Sequence, residues 1–526
     1  PHYDYLNKFS LIHNGIIENH YTIKKFLEEK GINCVSDTDT EVLVQFISYL
    51  YHSEKLKFYD AVKLALKEVV GAYGIVIMCH DEPDKIIAAR NGSPLVVGLG
   101  KQENYVASDT SAIIDYTRNI LFLEDGEIIE LEKKSYKIKH IDHDELINKE
   151  IKKIEYSLDT IEKGKYEHFM LKEIFQQPFS IADSFRGRIL KSDQIKLGGI
   201  EDYYQRILDC EYIYITACGT SWHAAQIGSY LLEDILHKPI KVEYASEFRY
   251  RNNSVNEKSL VIAISQSGET ADTLAAMLRA KENLINQIVL SNYPGTQAER
   301  IAEKLLPIEA GPEIGVAATK TFTCSLSTLY LLSIFLGVNR GKLDQMKISS
   351  LIDDLALLPE LMTKYLNTDD QIREIAAKYQ KYPNFLFLGR GLNYPLAMEG
   401  ALKLKEVSYI HAEGYPAGEM KHGPISLIDN SMPVVGIIPS DSLRDKMLSS
   451  LSESKARGAK VLAIASENET LVREIVDDVI WIPDAPSELS PILTALPLQL
   501  LAYHIALLRG CDIDQPRNLA KSVTVE

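Results

Sequence analysis

The pattern of apolar and polar positions changes near residue 170. Before it, short apolar stretches alternate with tight-turn residues, and an Asn14-Gly15 turn is predicted directly after a strand at 10–13. Further strands are predicted at 72–79, 85–89 and 95–99. Helices are predicted near 20–30 and, capped by the segment 36–40, to about Tyr51. Strands joined by tight turns favour an antiparallel sheet. After residue 170, apolar strands alternate with helices, which is typical of parallel βαβ units.

The second part also contains an internal repeat. Apolar segments at 212–219, 260–264, 288–290 and 306–308 are matched, in the same order and at nearly one spacing, at 385–391, 434–438, 461–463 and 480–482. Each copy closes with a long apolar stretch, 321–338 or 490–508, that is interrupted by polar residues. These stretches are predicted to be buried helices rather than membrane spans. A duplicated α/β domain explains the repeat.

The strongest candidate for ligand binding is the turn Ser265–Thr270, between the strand at 260–264 and a helix predicted from Ala271. Backbone N–H groups and the helix dipole converge there, which suits a phosphate, although Ser267 or Thr270 capping the helix without a ligand is the alternative. A second hydroxyl-bearing turn, 218–221, follows the preceding strand. Two such turns at one sheet edge favour a small phosphorylated ligand. The second copy has Pro439-Ser-Asp-Ser and no glycine.

Three further segments carry reactive side chains. Glu399, Lys403 and Glu406 share one face of a predicted helix, either as a solvated salt-bridge stripe or as a proton-transfer group beside a carbonyl. Residues 413–424 are interpreted as a Gly/Pro-rich loop that holds His422. The C-terminal tail is by default frayed, and its lysine, Lys521, forms a Schiff base with a sugar only if the tail folds into the crevice.

Composition narrows the class of protein. The length of 526 residues suggests about three domains, and the net charge of −16 without a basic block argues against nucleic-acid binding. Six cysteines without a C-x-x-C pair favour a reducing, cytoplasmic location and argue against a disulfide framework or a metal site. We expect no metal and no cofactor.

Seven segments together resemble one family, the glutamine-dependent glucosamine-6-phosphate synthases. They are 13–19, 36–41, 218–221, 265–270, 399–406, 421–424 and the tail from Asp514. The resemblance implies an α/β chain in which a partial N-terminal-nucleophile glutaminase α+β domain precedes two tandem SIS (sugar isomerase) domains with doubly wound parallel sheets. The implied bounds are 1–150 for the partial type 2 glutamine amidotransferase domain, 151–168 for a linker, 169–340 and 341–508 for the SIS domains, and 509–526 for a catalytic tail.

The resemblance also implies roles for the matched residues. The sugar phosphate would be held, and the sugar contacted, by Cys218, Gly219, Thr220, Ser221, Ser265, Gln266, Ser267, Thr270, Val316 and Glu399. The catalytic set would be Lys521 as the Schiff-base lysine for fructose 6-phosphate, Glu406 as the proton shuttle between C1 and C2, Lys403 beside it, and His422, reaching from the neighbouring subunit, for ring opening. Asn14 and Gly15 would form the glutaminase oxyanion hole, and Asp39 would bind the amino group of glutamine.

Two positions depart from the family pattern. The nucleophilic N-terminal cysteine and the Arg-Trp segment after it cannot be matched here, so we expect this chain to use ammonia rather than to hydrolyse glutamine. Ala318 stands where the family commonly has serine. The expected activity is formation of glucosamine 6-phosphate by a homodimer that binds neither nucleic acid nor membrane. A phosphosugar isomerase or deglycase, a non-catalytic sugar-phosphate sensor and an inactive fragment remain alternatives.

Overall fold

Two units divide the chain. One comprises Pro1–Glu162, Glu269–Ala271 and Val523–Glu526, and the other comprises Lys163–Gly268 and Asp272–Ser522. The structure, a computed structural model, describes residues 1–108, 110–113, 116–143, 145–153, 162–191, 194–251 and 256–523. Residues 154–161 of the expected linker, 151–168, therefore lie outside the described residues.

The first unit contains two antiparallel sheets and three α-helices in its described part. Its strands are β1 His2–Tyr3, β2 Phe9–Ile17, β3 Gly71–Cys79, β4 Lys85–Asn91, β5 Val96–Leu99, β6 Asn104–Ala107, β7 Asn119–Phe122, β8 Glu127–Glu132, β9 Tyr136–His140, β10 Leu146–Ile147 and β11 Lys152–Lys153. Its helices are α1 His20–Glu29, α2 Asp39–Ser53 and α3 Phe58–Glu68, with a 3-10 turn at Thr110–Ala112. The sheet orders are β1-β2-β3-β4-β8-β9-β10 and β11-β7-β5-β6.

Both faces of the larger sheet are buried. On one side Leu11, Ile75 and Ile87 pack with the apolar side of the helices, and on the other Ala88 and Ile129 pack with the smaller sheet. Helix α2 begins where the sequence predicts, because the Thr38 side chain accepts a hydrogen bond from the Glu41 N–H. The Glu41 carboxylate in turn accepts from the N–H groups of Val35 and Ser36. The layers thus run helix, sheet, sheet.

The predicted turn at Asn14-Gly15 is wrong. Both residues lie inside β2, where Asn14 pairs with Gly74 and Gly15 with Tyr73 of β3. Strand pairing overrides the local turn preference. Glycine is still required, because Gly15 has φ +154° and a Cβ there would lie 2.1 Å from the Ala72 carbonyl oxygen.

The second unit alternates strands and helices. Its first half has α4 Phe169–Phe185, β12 Ile189–Lys191, β13 Gln194–Ile195, α5 Tyr204–Asp209, β14 Tyr212–Ala217, α6 Gly219–Leu236, β15 Ile240–Tyr244, α7 Ala245–Phe248, β16 Ser259–Ile264, α8 Ala271–Glu282, β17 Asn286–Ser291, α9 Gln297–Ile301, β18 Lys304–Pro307, α10 Lys320–Asn339 and α11 Gln345–Leu366. Its second half has α12 Asp369–Tyr379, β19 Asn384–Gly389, α13 Asn393–Ser408, β20 His411–Pro416, β21 Val434–Ile438, α14 Arg444–Lys455, β22 Val461–Ser466, β23 Asp478–Ile482 and α15 Ser490–Leu508, with 3-10 turns at Glu419–His422, Pro424–Leu427 and Thr470–Glu474.

The predicted duplication is confirmed. The two parallel sheets have equivalent strand orders, β15-β14-β16-β17-β18 and β20-β19-β21-β22-β23. The edge strands β15 and β20 are absent from the sequence prediction. The interpretation of 413–424 as one loop is therefore wrong, since its first residues extend β20 and two 3-10 turns follow.

The two long apolar helices α10 and α15 lie at the centre of this unit. By length and composition alone each is apolar enough to cross a membrane, yet 94% and 89% of their apolar windows are buried within the protein. They contribute Leu329, Leu331, Leu500 and Ile505 to one hydrophobic core that spans both copies. The prediction of buried helices is confirmed, and the shared core holds the two copies together.

Candidate functional site

The turn after β16 is fixed by the strand next to it. Gly268 donates its N–H to Ser265 Oγ at 3.1 Å, and the carbonyl of Gln266 accepts from the Asn292 N–H at 3.2 Å, just beyond β17. Gly268 has φ +67°, and a Cβ there would lie 2.4 Å from Thr296 Oγ1. Helix α8 begins directly after the turn, as predicted. A rigid, hydroxyl-bearing turn at a helix N-terminus suits a phosphate.

The turn at 218–221 opens a second helix and contacts the other copy. Helix α6 begins at Gly219 with Cys218 in the N-cap position, and Ser221 lies partly buried in its first turn. The Thr220 hydroxyl donates to Glu399 Oε1 at 3.0 Å, and His223 Nδ1 lies 2.6 Å from Glu399 Oε2. The Glu399 carboxylate therefore joins the first copy's turn to helix α13 of the second copy.

The charged row on α13 is not a solvated stripe. Glu399 and Lys403 have side chains that are 1% and 0% exposed, and Lys403 Nζ lies 3.5 Å from Glu399 Oε1 and 2.5 Å from Glu406 Oε2. Glu406 is the open end of the row, with 21% of its side chain exposed. An accessible carboxylate fixed against a buried ammonium group can transfer a proton at a neighbouring ligand.

Electrostatics keep the two buried members of this row, Glu399 and Lys403, ionised. Burial raises the pKa of Glu399, but the Lys403 charge and the hydrogen bonds from His223 and Thr220 outweigh it and leave the pKa lowered. Burial lowers the pKa of Lys403, but Glu406 and Glu399 outweigh it and leave the pKa raised. Both groups are therefore charged at neutral pH.

The tail is anchored, against the default expectation that it is frayed. Lys521 Nζ donates to Glu313 Oε2 at 2.6 Å and to the Gly315 carbonyl at 2.8 Å, with 24% of the lysine side chain exposed. Upstream, the carbonyl of Asp514 accepts from the Val316 N–H at 3.2 Å. The tail thus lies against the glycine-bearing turn that contains Val316 and Ala318. Sequence reasoning missed Glu313, whose only local signal is its position before that turn.

His422 is not brought to these groups. It is exposed at the end of the Glu419–His422 turn, and no hydrogen bond or ion pair links it to another residue in the described part of the chain. Sequence reasoning also missed His223, because its contact with Glu399 spans 176 residues.

The first unit gathers the three predicted glutaminase residues near the end of β2. Asp39 Oδ2 accepts from the Ile17 N–H at 2.8 Å, which ties the start of α2 to the strand that carries Asn14 and Gly15. Asp39 Oδ1 lies 3.8 Å from His13 Nδ1. Burial lowers the pKa of His13 despite the carboxylate of Asp39. Asn14 is exposed, so its amide is available to a ligand.

Comparison with known proteins agrees with this arrangement. The SIS domain family matches residues 206–334 and 378–509, and the glutamine amidotransferase domain family matches residues 1–115. The glutamine–fructose-6-phosphate aminotransferases (isomerizing) of Bacteroides thetaiotaomicron and Thermococcus kodakarensis are 48% and 46% identical, and each match covers all of this chain and 86% of the relative.

Solved structures resemble the second unit. The C-terminal domain of a glucosamine-fructose-6-phosphate aminotransferase from Francisella tularensis is 38% identical with a TM-score of 0.64, covering 67% of this chain and all of that one. A glucosamine-6-phosphate deaminase from Thermotoga maritima shares the fold, at 23% identity and a TM-score of 0.54, over 68% of this chain and all of that one.

Fold and matches together define a glutamine amidotransferase domain joined to a pair of SIS domains. The identity with full-length relatives narrows this class further. The chain belongs to the glutamine–fructose-6-phosphate aminotransferase (isomerizing) family.

Proposed function

We propose that this chain forms glucosamine 6-phosphate from fructose 6-phosphate and the amide nitrogen of glutamine, or ammonia in its place. The observation that carries the proposal is the buried row Glu399, Lys403 and Glu406, bonded to Thr220 of the first copy. A sensor that only binds sugar phosphate has no need of an ionised acid–base row with one open end.

The phosphate is bound by the turn that contains Ser265, Gln266, Ser267 and Thr270, with Ser221 near the sugar. Lys521 then acts on the open-chain sugar: its neutral amine adds to the C2 carbonyl, water leaves, and an imine forms. Ammonia displaces the lysine amine at C2. Glu406 moves a proton from C1 to C2, and the C1 hydroxyl proton passes to the C2 nitrogen, which leaves an aldehyde at C1 and an amine at C2.

Lys403 and Glu399 hold Glu406 in place rather than react. The Lys403 ammonium fixes the Glu406 carboxylate at 2.5 Å, and the buried Glu399 fixes the lysine. In the first unit, Asn14 and Gly15 stabilise the oxyanion and Asp39 binds the glutamine amino group. The proposal includes a homodimer in which His422 assists ring opening of the sugar bound by the neighbouring subunit. This histidine is exposed and bonded to none of the described site residues, so it is available to a second subunit.

The cysteines support a cytoplasmic location. All six are free, and Cys79, Cys210 and Cys324 are buried. Buried free thiols persist in a reducing compartment.

The test is direct. The chain is incubated with fructose 6-phosphate and either glutamine or ammonium, and glucosamine 6-phosphate is measured by mass spectrometry. We expect product with ammonium and none without a nitrogen source. Lys521→Met is expected to abolish product while fructose 6-phosphate still binds. Absence of product with both donors, or full activity of Lys521→Met, would contradict the proposal.

A further inference from the structure

A second group of buried charges surrounds Lys521. It consists of two carboxylates, Glu173 on α4 and Glu313 before α10, and two lysines, Lys320 at the start of α10 and Lys521 in the tail. Glu173, Glu313 and Lys320 are buried. We call these four residues the lysine–carboxylate cluster. Such a group in a protein interior is stable only when its charges balance.

Glu313 is the fixed member of the cluster. Its Oε1 accepts from the N–H groups of Thr319 and Thr321, at 2.9 and 3.1 Å, and its Oε2 accepts from Lys521 Nζ at 2.6 Å. Burial raises the pKa of Glu313, but the charge of Lys521 and the hydrogen bonds from Lys521, Thr319 and Thr321 together outweigh it and lower the pKa. This carboxylate therefore stays ionised and sets the position of the lysine amine.

Glu173 is the incompletely bonded member. Its Oε1 accepts from the N–H groups of Ile314 and Gly315, the segment whose carbonyl holds Lys521. Its Oε2 is buried and has no hydrogen-bond partner among the described residues. A buried carboxylate oxygen without a donor favours the protonated form.

The charge on Lys521 decides the state of the other three groups. With all four ionised the cluster is neutral. Imine formation requires a neutral lysine amine, and loss of that proton leaves one net negative charge in the interior. A proton on Glu173 restores neutrality.

We propose that Glu313 and Glu173 serve Lys521 as a pair: Glu313 positions the amine, and Glu173 takes up the proton that the amine releases before it attacks the sugar. Lys521 Nζ loses one proton and Glu173 Oε2 gains it. The freed lone pair then bonds to C2, and water leaves as the imine forms. This inference rests on the proposed function, because it assigns a purpose to the Lys521 imine.

Two further titratable groups act on the cluster. Cys324 acts on Lys320, and burial raises the pKa of its thiol, which therefore stays neutral; Lys403 interacts with Glu313. Burial and Glu313 raise the pKa of Glu173 to about 7, while Lys521 and, more weakly, Lys320 act against the rise. Lys320 Nζ donates to Gln176 Oε1 at 3.1 Å. Helix α11 packs on α4 with apolar residues such as Leu358, and α15 contributes the uncharged Gln499.

At the N-terminus of α4, Asp514 accepts from the N–H groups of Phe169 and Met170 and pairs with Lys163 at 3.0 Å. Its charge is already matched by that lysine. Glu173 is therefore the carboxylate of this region with both a raised pKa and an oxygen lacking a donor.

The test follows formation of the imine itself. The chain is incubated with fructose 6-phosphate and cyanoborohydride between pH 6 and pH 9, and the reduced adduct on Lys521 is measured by peptide mass spectrometry. If Glu173 takes the proton, the trapping rate rises with pH and levels off above about 7, where Glu173 is ionised. Free lysine has a pKa of about 10.4, and an amine like it that releases its proton to water gives a different profile. Its trapping rate keeps rising, roughly tenfold per pH unit, up to pH 9.

Two isosteric variants separate the roles. Glu173→Gln keeps an oxygen for Ile314 and Gly315 but cannot take a proton, so the plateau disappears and trapping at pH 7.5 falls about a hundredfold. Glu313→Gln loses the ion pair with Lys521, so trapping falls on the order of a hundredfold at every pH while the plateau remains. Fructose 6-phosphate affinity is expected to stay within about twofold in both, because neither residue belongs to the phosphate turn.

A matched control is Glu469→Gln, which neutralises a buried carboxylate paired with Arg444 outside the cluster and is expected to trap like the wild type. A plateau that survives Glu173→Gln overturns the inference. A wild-type trapping rate without a plateau also overturns it, and this second test does not depend on whether any variant folds. If the wild type forms neither adduct nor product, the proposed function itself fails.

Discussion

Replacing Lys403 with methionine tests whether the row on α13 depends on its buried charge. The side chains are similar in length, so the change removes the ammonium group and little volume. Glu399, which is 1% exposed, then keeps only His223 and Thr220 as partners. Breaking a buried ion pair by removing one partner costs about 3–5 kcal/mol of unfolding free energy. We expect a loss of that size at pH 8.

The loss should depend on pH. In the wild type, Lys403 has a raised pKa, so its contribution is complete below its unfolded pKa of 10.5 and is lost as pH rises through the raised folded value. Glu399 has a lowered pKa, so its contribution is complete above its unfolded pKa of 4.5 and is lost as pH falls through the lowered folded value. Between pH 5 and pH 8 the stability contributions of Lys403 and Glu399 are both present. Without Lys403, burial instead favours protonated Glu399, so the variant loses less stability at pH 5 than at pH 8.

The assay is urea unfolding followed by tryptophan fluorescence. The chain has two tryptophans, Trp222 and Trp481, and both lie in the second unit, so the signal reports the unit that contains the row. Lys405→Met is the matched control, because Lys405 is exposed on the same helix and its loss should change stability by no more than about 0.5 kcal/mol. Equal stability of Lys403→Met and the control, or a loss that is the same at both pH values, would refute the reasoning.

Two further predictions concern the turn after β16 and the end of β2. Gly268→Ala places a methyl group 2.4 Å from Thr296 Oγ1 at φ +67°, so calorimetry should show fructose 6-phosphate affinity at least about tenfold weaker. The control is Gly198→Ala, whose methyl group would have nothing within 4 Å and which should bind like the wild type. Equal affinities of the two variants would contradict the argument. Burial lowers the pKa of His13, so the first unit should lose stability as pH falls below about 6.5, by up to about 1.4 kcal/mol per pH unit. Hydrogen exchange of β2 should show this loss in the wild type and not in His13→Gln, and an unchanged slope would contradict it.

Local patterns were sufficient for the buried scaffold. The apolar run at 260–264, the glycine-bearing turn after it and the helix from Ala271 are encoded by adjacent residues, and the structure has them as β16 and α8. The edge strand β15 was missed although Ile240 and Val242 alternate with Lys241 and Glu243. A half-exposed edge strand shows only this short alternation, which is weaker than a continuous apolar run.

The opposite error occurred at Asn14-Gly15. The dipeptide is a strong turn signal locally, but nine residues of β2 pair with β3, and that pairing decides the conformation. A turn is predicted from a few adjacent residues, and the partner strand begins at Gly71, far outside them. The prediction therefore failed. The glycine remained informative for another reason, the close approach of the Ala72 carbonyl.

The contacts that join separate elements at the candidate site are long-range. Glu399 meets His223 across 176 residues, and Lys521 meets Glu313 across 208. In sequence, a glutamate before a glycine turn and a lysine in a tail carry no sign of each other. Helical spacing did place Lys403 between its two carboxylates, since residues three and four apart share a face. What it left open was burial, and burial separates a solvated stripe from a group able to transfer protons.

Duplication accounts for the separation of the hydroxyl-bearing turns from the charged row. The two copies share one strand order, so each has an edge at which strands end and helices begin. The first copy carries the hydroxyl-bearing turns and the second copy the charged row, and the Glu399 carboxylate bonds one to the other. The shared core of α10 and α15 therefore has a chemical consequence, because it fixes the spacing between the turn proposed to bind the sugar phosphate and the residues proposed to act on the sugar carbons.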